Sequence, residues 1–215
     1  MTTLITGANR GIGKALREQY ASLGRTVIGT HRAPAADGML QLDVTEPASQ
    51  ASMAALVQGP LDLLICNAGV YLDKGQDLAS GYPPRMWADS FATNVTGVFL
   101  TIQHLLPKLQ QAQSPKIAII SSQMASDTHA PGGSYIYRAS KAAALNLGRN
   151  LATDLKPQGI AVGIYHPGWV QTDMGGSAAA IDAQTAAAGL VARFDALSLA
   201  TTGCFETWDG QPHPY

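Results

Sequence analysis

The octapeptide Thr6-Gly7-Ala8-Asn9-Arg10-Gly11-Ile12-Gly13 follows a β-type run at residues 2–6 and precedes a helical pattern at residues 14–23. In that pattern Ala15, Leu16, Tyr20 and Leu23 recur at helical spacing, and Gly24 stops it. Glycines between a strand and a helix let the backbone turn sharply and approach a pyrophosphate, with the helix N-terminus facing the charge. The spacing is G-x3-G-x-G, not the more familiar G-x-G-x-x-G. A plain tight turn between strand and helix accounts for the same glycines; the position in the first strand–helix unit favours the nucleotide.

Outward from this turn, β-like runs alternate with longer helical stretches. Runs at 26–30, 39–42, 61–66, 116–121, 160–165 and 203–206 read as strands, and 48–57, 84–109, 135–155 and 182–197 as helices. The helix at 84–109 carries Trp87, Phe91, Val95, Val98, Ile102, Leu105 and Leu109 on one stripe. The strands are continuously apolar, as in Ile117-Ala118-Ile119-Ile120, which suits a parallel sheet covered by helices on both faces. The expected architecture is therefore α/β, a doubly wound and mainly parallel sheet of about seven strands, in one domain spanning 1–215. Ligands in such sheets bind beyond the carboxyl ends of the strands, so the loops at 71–83 and 123–134 are expected to border the site.

Composition narrows the classes of function. Charged residues are 13% against a usual ~25%, and apolar residues 46%, which rules out disorder and coiled coil. With 14 basic and 15 acidic residues there is no footprint for nucleic acid. No apolar run approaches the ~18 residues of a membrane span, and the first residues show no signal-peptide pattern. Cys66 and Cys204 form no disulfide framework, and no His/Cys spacing suggests a metal, so two buried thiols in a reducing, cytoplasmic compartment are expected.

A second constellation is Tyr137-Arg138-Ala139-Ser140-Lys141. Tyr and Lys at i and i+4 lie one turn apart on one helix face. A cation there favours the phenolate of a side chain with an unperturbed pKa of ~10. Tyr135 cannot do the same, because its i+4 residue is Ala139. Ser122 supplies a hydroxyl at the end of the preceding strand, with Ser121 as a rival.

Taken in order, these landmarks resemble the short-chain dehydrogenase/reductase superfamily. They are Thr6-Gly7-x3-Gly11-x-Gly13, Leu42-Asp43-Val44, Asn67-Ala68-Gly69, Asn94-Val95-Thr96-Gly97, Ser121-Ser122, Tyr137-x3-Lys141 and Pro167-Gly168-x3-Thr172. The run from His166 to Gly176 and the closing Glu206-x-Trp208-Asp209-Gly210 are similar to the C-factor (C-signal) branch and its carbonyl-reductase relatives. The resemblance implies a Rossmann fold and an NAD(P)-dependent oxidoreductase acting on a small carbonyl/alcohol pair.

It also implies roles. Tyr137 would be the general acid/base, and Ser122 would polarise the carbonyl oxygen. Lys141 would bind the nicotinamide ribose and lower the tyrosine's pKa. Asn94, at a local break in the long helix, would hold a water linking Lys141 to solvent. Gly7, Asn9, Arg10, Gly11, Ile12 and Gly13 would hold the pyrophosphate end. Asp43 and Val44 would meet the adenine, Asn67, Ala68 and Gly69 its ribose, and Pro167, Gly168, Val170 and Thr172 the nicotinamide. Asp43 as a cap, Asn94 as a tolerated polar residue and Thr172 as a turn residue are the competing structural readings. His166 is read as a satisfied structural histidine, and Trp169 and Met174 as candidate pocket walls. His31, His104, His129 and His213 form no ligand set.

NADPH is expected over NADH. The acid that would accept from a ribose 2′-hydroxyl, roughly 20 residues past the glycines, is missing at the end of the second strand. Arg32 stands there instead, Asp37 is the first acid after it, and Arg10 lies in the turn as a second cation for a 2′-phosphate. The Ala-rich segment 175–181 replaces larger substrate-covering helices and implies an open pocket. Small residues Ala139, Ala142, Ala143 and Ala144 would permit a homodimer through the two long helices. A dinucleotide-binding signalling protein with incidental turnover is the alternative function.

Overall fold

The computed structural model describes residues 1–33, 38–128 and 130–215; Asp37 and His129 lie outside the described residues. Seven strands form one sheet: β1 (Thr2–Ile5), β2 (Thr26–His31), β3 (Leu40–Gln41), β4 (Leu63–Cys66), β5 (Lys116–Ile120), β6 (Ala161–His166) and β7 (Phe205–Thr207). Their order is β3-β2-β1-β4-β5-β6-β7, and every strand pair is parallel. The helices are α1 (Gly11–Ser22), α2 (Pro47–Leu56), α3 (Pro84–Phe91), α4 (Gly97–Leu109), α5 (Tyr135–Leu155) and α6 (Ala183–Ala196). This is the expected doubly wound, Rossmann-type fold.

The continuous apolar strands have the predicted cause. Successive side chains point to opposite faces, so Leu4, Leu64 and Cys66 join Val98, Ile102 and Leu105 in a core beneath α2, α4 and α5. Ile5, Leu63 and Ile65 join Leu16, Tyr20, Leu190 and Phe194 beneath α1 and α6. Burying both faces leaves little room for polar side chains, and Thr3 Oγ1 of β1 and Thr30 Oγ1 of β2 are buried with no hydrogen-bond partner among the described residues. Among the described residues, no helix is long and apolar enough to cross a membrane.

Several bounds shift from the sequence reading, with α1 beginning at Gly11 rather than 14 and β4 at Leu63 rather than 61, and two differences have a clear local cause. The helix expected at 84–109 is two helices joined by a π turn at Ala92–Thr96, which puts the break at Asn94 that the resemblance implied. The inserted residue rotates the stripe, so Val98, Ile102, Leu105 and Leu109 are core while Trp87 stays 37% exposed against Phe91. The last strand begins at Phe205 rather than 203, because Gly203 adopts φ +87 in a turn whose N–H donates to the Val162 carbonyl at 2.7 Å. Cys66 is buried as expected, with its thiol pushed up to about 12 by burial, but Cys204 is only half-buried.

Sheet order turns between β1 and β4, and the glycine turn sits over that junction. Gly7 and Gly11 have φ of +66 and +52, which only glycine adopts cheaply. A Cβ on Gly13 would lie 2.2 Å from the Gly7 carbonyl oxygen and 2.5 Å from Asn67 Nδ2. Gly13→Ala therefore forces the start of α1 off the turn, and a loss of about 1–3 kcal/mol in unfolding free energy is expected by urea titration.

Candidate functional site

A cleft of about 530 Å³ opens over the β1/β4 junction. Gly7, Asn9, Arg10, Gly11, Ile12 and Gly13 line one side, and Arg32, Asp43, Val44, Asn67, Ala68 and Gly69 the floor and far end. Tyr137, Lys141, Pro167 and Thr172 complete it. Ser121 lines it too, whereas Ser122, Asn94, Gly168 and Val170 do not. Gly168, at φ +88, packs where a Cβ would meet Ile181 and Trp208, and Val170 pairs with Ile181.

The turn is held from below. Asn67 Nδ2 donates to the carbonyl oxygens of Thr6 (2.9 Å) and Gly7 (3.1 Å), and Thr6 Oγ1 accepts from the N–H groups of Asn67 and Ala68, both at 3.0 Å. Asn67 thus supports the turn through its side chain. At the far end, Asp43 Oδ1 accepts from the Thr45 N–H (3.0 Å) and hydroxyl (2.7 Å). Burial works to raise this carboxyl, but the Thr45 hydrogen bonds and the charge of Arg32 together hold it below its usual value. Thr172 Oγ1 accepts from the Gly175 N–H and donates to the Val170 carbonyl, so it also shapes its own turn.

The residues present fit a dinucleotide. The N-terminus of α1 has neither a side-chain cap nor an acid in its first turn, which leaves its N–H groups and positive dipole end for an anion. The cradle is closed to side chains, since a Cβ on Gly11 would lie 3.2 Å from Thr172 Cγ2. His31, which the sequence reading passed over, lines the same cleft, and its buried Nε2 has no partner among the described residues. Arg32 is exposed, whereas the Arg10 guanidinium is paired with Asp173 at 3.0 Å across the mouth. Both partners of that pair are well exposed, so its net strength is small and a phosphate can compete for the arginine.

At the inner end, α5 brings Tyr137 and Lys141 beside the end of β5. Ser122 stands near enough to the Tyr137 phenol to favour its ionised form, while its Oγ accepts from the Met124 N–H at 3.1 Å. Its neighbour Ser121 instead donates to the Lys141 carbonyl at 3.0 Å. Lys141 Nζ donates to the Ile120 carbonyl at 3.0 Å and stands 5.7 Å from the Tyr137 ring centre. The expected lowering of the phenol does not occur in this arrangement. Burial pushes Tyr137 up to about 12, and Tyr71 and Asp73 add to the rise while the neighbouring Ser122 opposes it. The same burial brings Lys141 down to about 8.

Asn94, 1% exposed, sits in the π turn. Its amide brackets Val70, donating to the carbonyl and accepting from the N–H at 2.9 Å each, and donates to Ser140 Oγ at 2.9 Å. A Cβ on Gly69 would lie 3.2 Å from Asn94 Oδ1 and 3.4 Å from Lys141 Nζ, so glycine lets both groups approach one edge of the cleft. Met174 lines the mouth, while Trp169 is half exposed and donates from Nε1 to the Gly175 carbonyl. His166 is not the satisfied histidine expected: its Nδ1 is buried with no partner among the described residues, and burial, with His213 nearby, pushes it down to about 4. Among the described residues no cluster of His, Cys, Asp or Glu could hold a metal ion. Sequence reading also missed Tyr71, Asp73 and Asp173; the first two stand just past Asn67-Ala68-Gly69, and that proximity was the available signal.

A family model described as short chain dehydrogenase matches residues 1–182. The chain is 37% identical over 159 residues to C-signal of Myxococcus xanthus, covering 73% of this chain and 94% of that protein. It is 32% identical over 185 residues to the 3-oxoacyl-acyl-carrier-protein reductase FabG of Escherichia coli strain K12, covering 80% of this chain and 74% of that one. Its fold matches the NADPH-bound carbonyl reductase from chicken fatty liver with a TM-score of 0.91 at 29% identity, covering 100% of this chain and 98% of that one.

The buried lysine has a measurable consequence. Burial brings Lys141 from its ordinary value of 10.5 to about 8, so the cost of burying its charge is full below about pH 8 and falls progressively up to 10.5. In the ligand-free protein, Lys141→Met is expected to be stabilising relative to wild type by an amount greatest below pH 8, at most roughly 3 kcal/mol. The gain shrinks as pH rises toward 10.5, and thermal melts of both proteins across that range check it.

Proposed function

The chain belongs to the short-chain dehydrogenase family, and on that premise we propose that it reduces a small ketone or aldehyde to the alcohol, with NADPH in preference to NADH. A bound nicotinamide supplies the hydride. The Tyr137 hydroxyl gives its proton to the carbonyl oxygen, forming the new O–H bond as the ring oxygen takes the charge. Burial keeps this phenol protonated at neutral pH, the form a donor needs. Ser122 holds the same oxygen by hydrogen bond, and Lys141 holds the ribose hydroxyls and faces the developing phenolate. Asn94 braces Val70 and Ser140 behind them. Gly7, Asn9, Gly11, Ile12 and Gly13 would hold the pyrophosphate, Asp43 and Val44 the adenine, Asn67, Ala68 and Gly69 its ribose, and Pro167 and Thr172 the nicotinamide side, with Gly168 and Val170 packed behind them.

The observation that carries this reading is Tyr137 with Lys141 Nζ 5.7 Å from its ring centre, both at the wall of a cleft that fits a dinucleotide, with Ser122 beside the phenol. Binding alone has no use for a proton donor placed there. Arg32, and Arg10 once released from Asp173, are the groups for a 2′-phosphate, through charge-assisted hydrogen bonds. Structures of relatives with NADP bound, such as the short-chain dehydrogenase of Burkholderia cenocepacia, support that preference. The homodimer through α4 and α5 stays part of the proposal, and a monomer mass by light scattering at micromolar concentration overturns it.

The likeness to C-signal favours a second reading, a dinucleotide-binding signalling protein. Tight cofactor binding with slow turnover across a panel of simple carbonyls would select it. On the leading reading, Tyr137→Phe lowers the reduction rate by ~10²–10⁴ with cofactor affinity nearly unchanged, whereas Lys141→Ala weakens both. Arg32→Ala and Arg10→Ala are expected to lose far more kcat/KM with NADPH than with NADH; equal losses would refute the preference.

A further inference from the structure

The first turn of α5 is capped from a distant part of the chain. Asp73 is 0% exposed. Its Oδ2 accepts from the Ile136 N–H at 2.8 Å, and its two oxygens share the Tyr137 N–H at 3.2 and 3.3 Å. These N–H groups have no partner within the helix. The residue usually placed to satisfy them, Ser134, caps nothing: it sits in a left-handed conformation with φ 49, and its Oγ bonds the Tyr71 hydroxyl at 2.5 Å. The Tyr71 ring in turn stacks on Tyr137, with centres 4.2 Å apart and planes at 22°.

The segment just past Gly69 therefore grips Tyr137 twice, at its backbone nitrogen and on its ring face. It is itself anchored through Val70 to Asn94. Burying a carboxylate is costly unless hydrogen-bond donors and a helix dipole compensate it. A helix that needed only a cap would use the local serine. Placing the carboxylate on the loop beyond β4 instead ties the position of Tyr137 to the loop that borders the cleft.

We propose that Asp73 and Tyr71 are positioning residues for Tyr137, Asp73 fixing the helix turn that carries it and Tyr71 fixing its ring plane. This rests on Tyr137 being the proton donor. The charged and titratable groups about its phenol are Lys141 from its own helix and Tyr71 and Asp73 from the loop, with the neutral hydroxyl of Ser122 beside it. Arg85 and Asp89 of α3, which packs on α5, pair with each other at the surface. The Asp73 charge opposes the phenolate, so its role in placement comes with an electrostatic signature.

Asp73→Asn keeps an acceptor oxygen and removes the charge. Its kcat for carbonyl reduction is expected to fall by roughly tenfold to a hundredfold, the usual cost of a small misplacement, with KM nearly unchanged. The pH limb assigned to the phenol moves to lower pH, which loss of a merely structural cap would not cause. In the Tyr137→Phe background the same change is expected to give no further loss of rate, although both proteins lose stability. Tyr71→Leu, in a half-buried loop, carries the same double-variant test if the Asp73 variant does not fold. Losses that multiply in the double variants, or an unchanged kcat in the single ones, overturn the inference while leaving Tyr137 as donor. An active Tyr137→Phe protein overturns the reading on which it rests.

Discussion

Asn67 ties the end of β4 to the end of β1 by donating both amide hydrogens to the carbonyl oxygens of Thr6 and Gly7. That attachment is made where the strand order turns, the one place in a doubly wound sheet where helices leave in opposite directions and a crevice opens. With the turn anchored there, Gly13 must lie against Gly7, α1 must point its N-terminus into the crevice, and Gly69 must pass beside Asn94 and Lys141. Each of these close approaches excludes a side chain. The glycines and the asparagine form one device, which sets where an anionic ligand can sit and how near it comes to α5.

The inner end of the cleft is organised by burial instead. Lys141 and Tyr137 are almost wholly enclosed, and enclosure disfavours charge on both, bringing the lysine down and the tyrosine up. A dry pair of this kind is poorly matched to the protein alone and better matched to a ligand that supplies hydrogen-bond partners. Such groups lower stability where they raise function.

Much of this was legible in residue pattern. Apolar strands without alternation gave a parallel sheet, since both faces are covered, and the glycine turn and the Tyr-x3-Lys pair stand on the elements expected of them. What escaped reading has physical causes. A 3.6-residue period continues through 84–109, so periodicity alone does not reveal the wider turn at Ala92–Thr96; only the family resemblance placed a break at Asn94. The cap on α5 escaped because local rules look for it at Ser134, whereas the acceptor is Asp73, 63 residues before the N–H it satisfies. The Arg10–Asp173 pair joins residues 163 apart and shows no local trace, so a cation read as free for a phosphate is engaged in the folded chain.

The parallel register also bears on how the molecule acquires its cleft. Thr3 pairs with Leu63, Leu63 with Lys116, and Lys116 with Ala161, so each central ladder joins segments that a whole helical crossover separates. No hairpin starts the sheet, and the entropy of closing each loop precedes the contacts that repay it. The cleft draws on β1, β2, β4, β5, α5 and the turn after β6, and therefore comes into being only when the central ladders have all closed. In this topology a binding cleft is a property of the closed sheet as a whole, and no single strand–helix unit carries it.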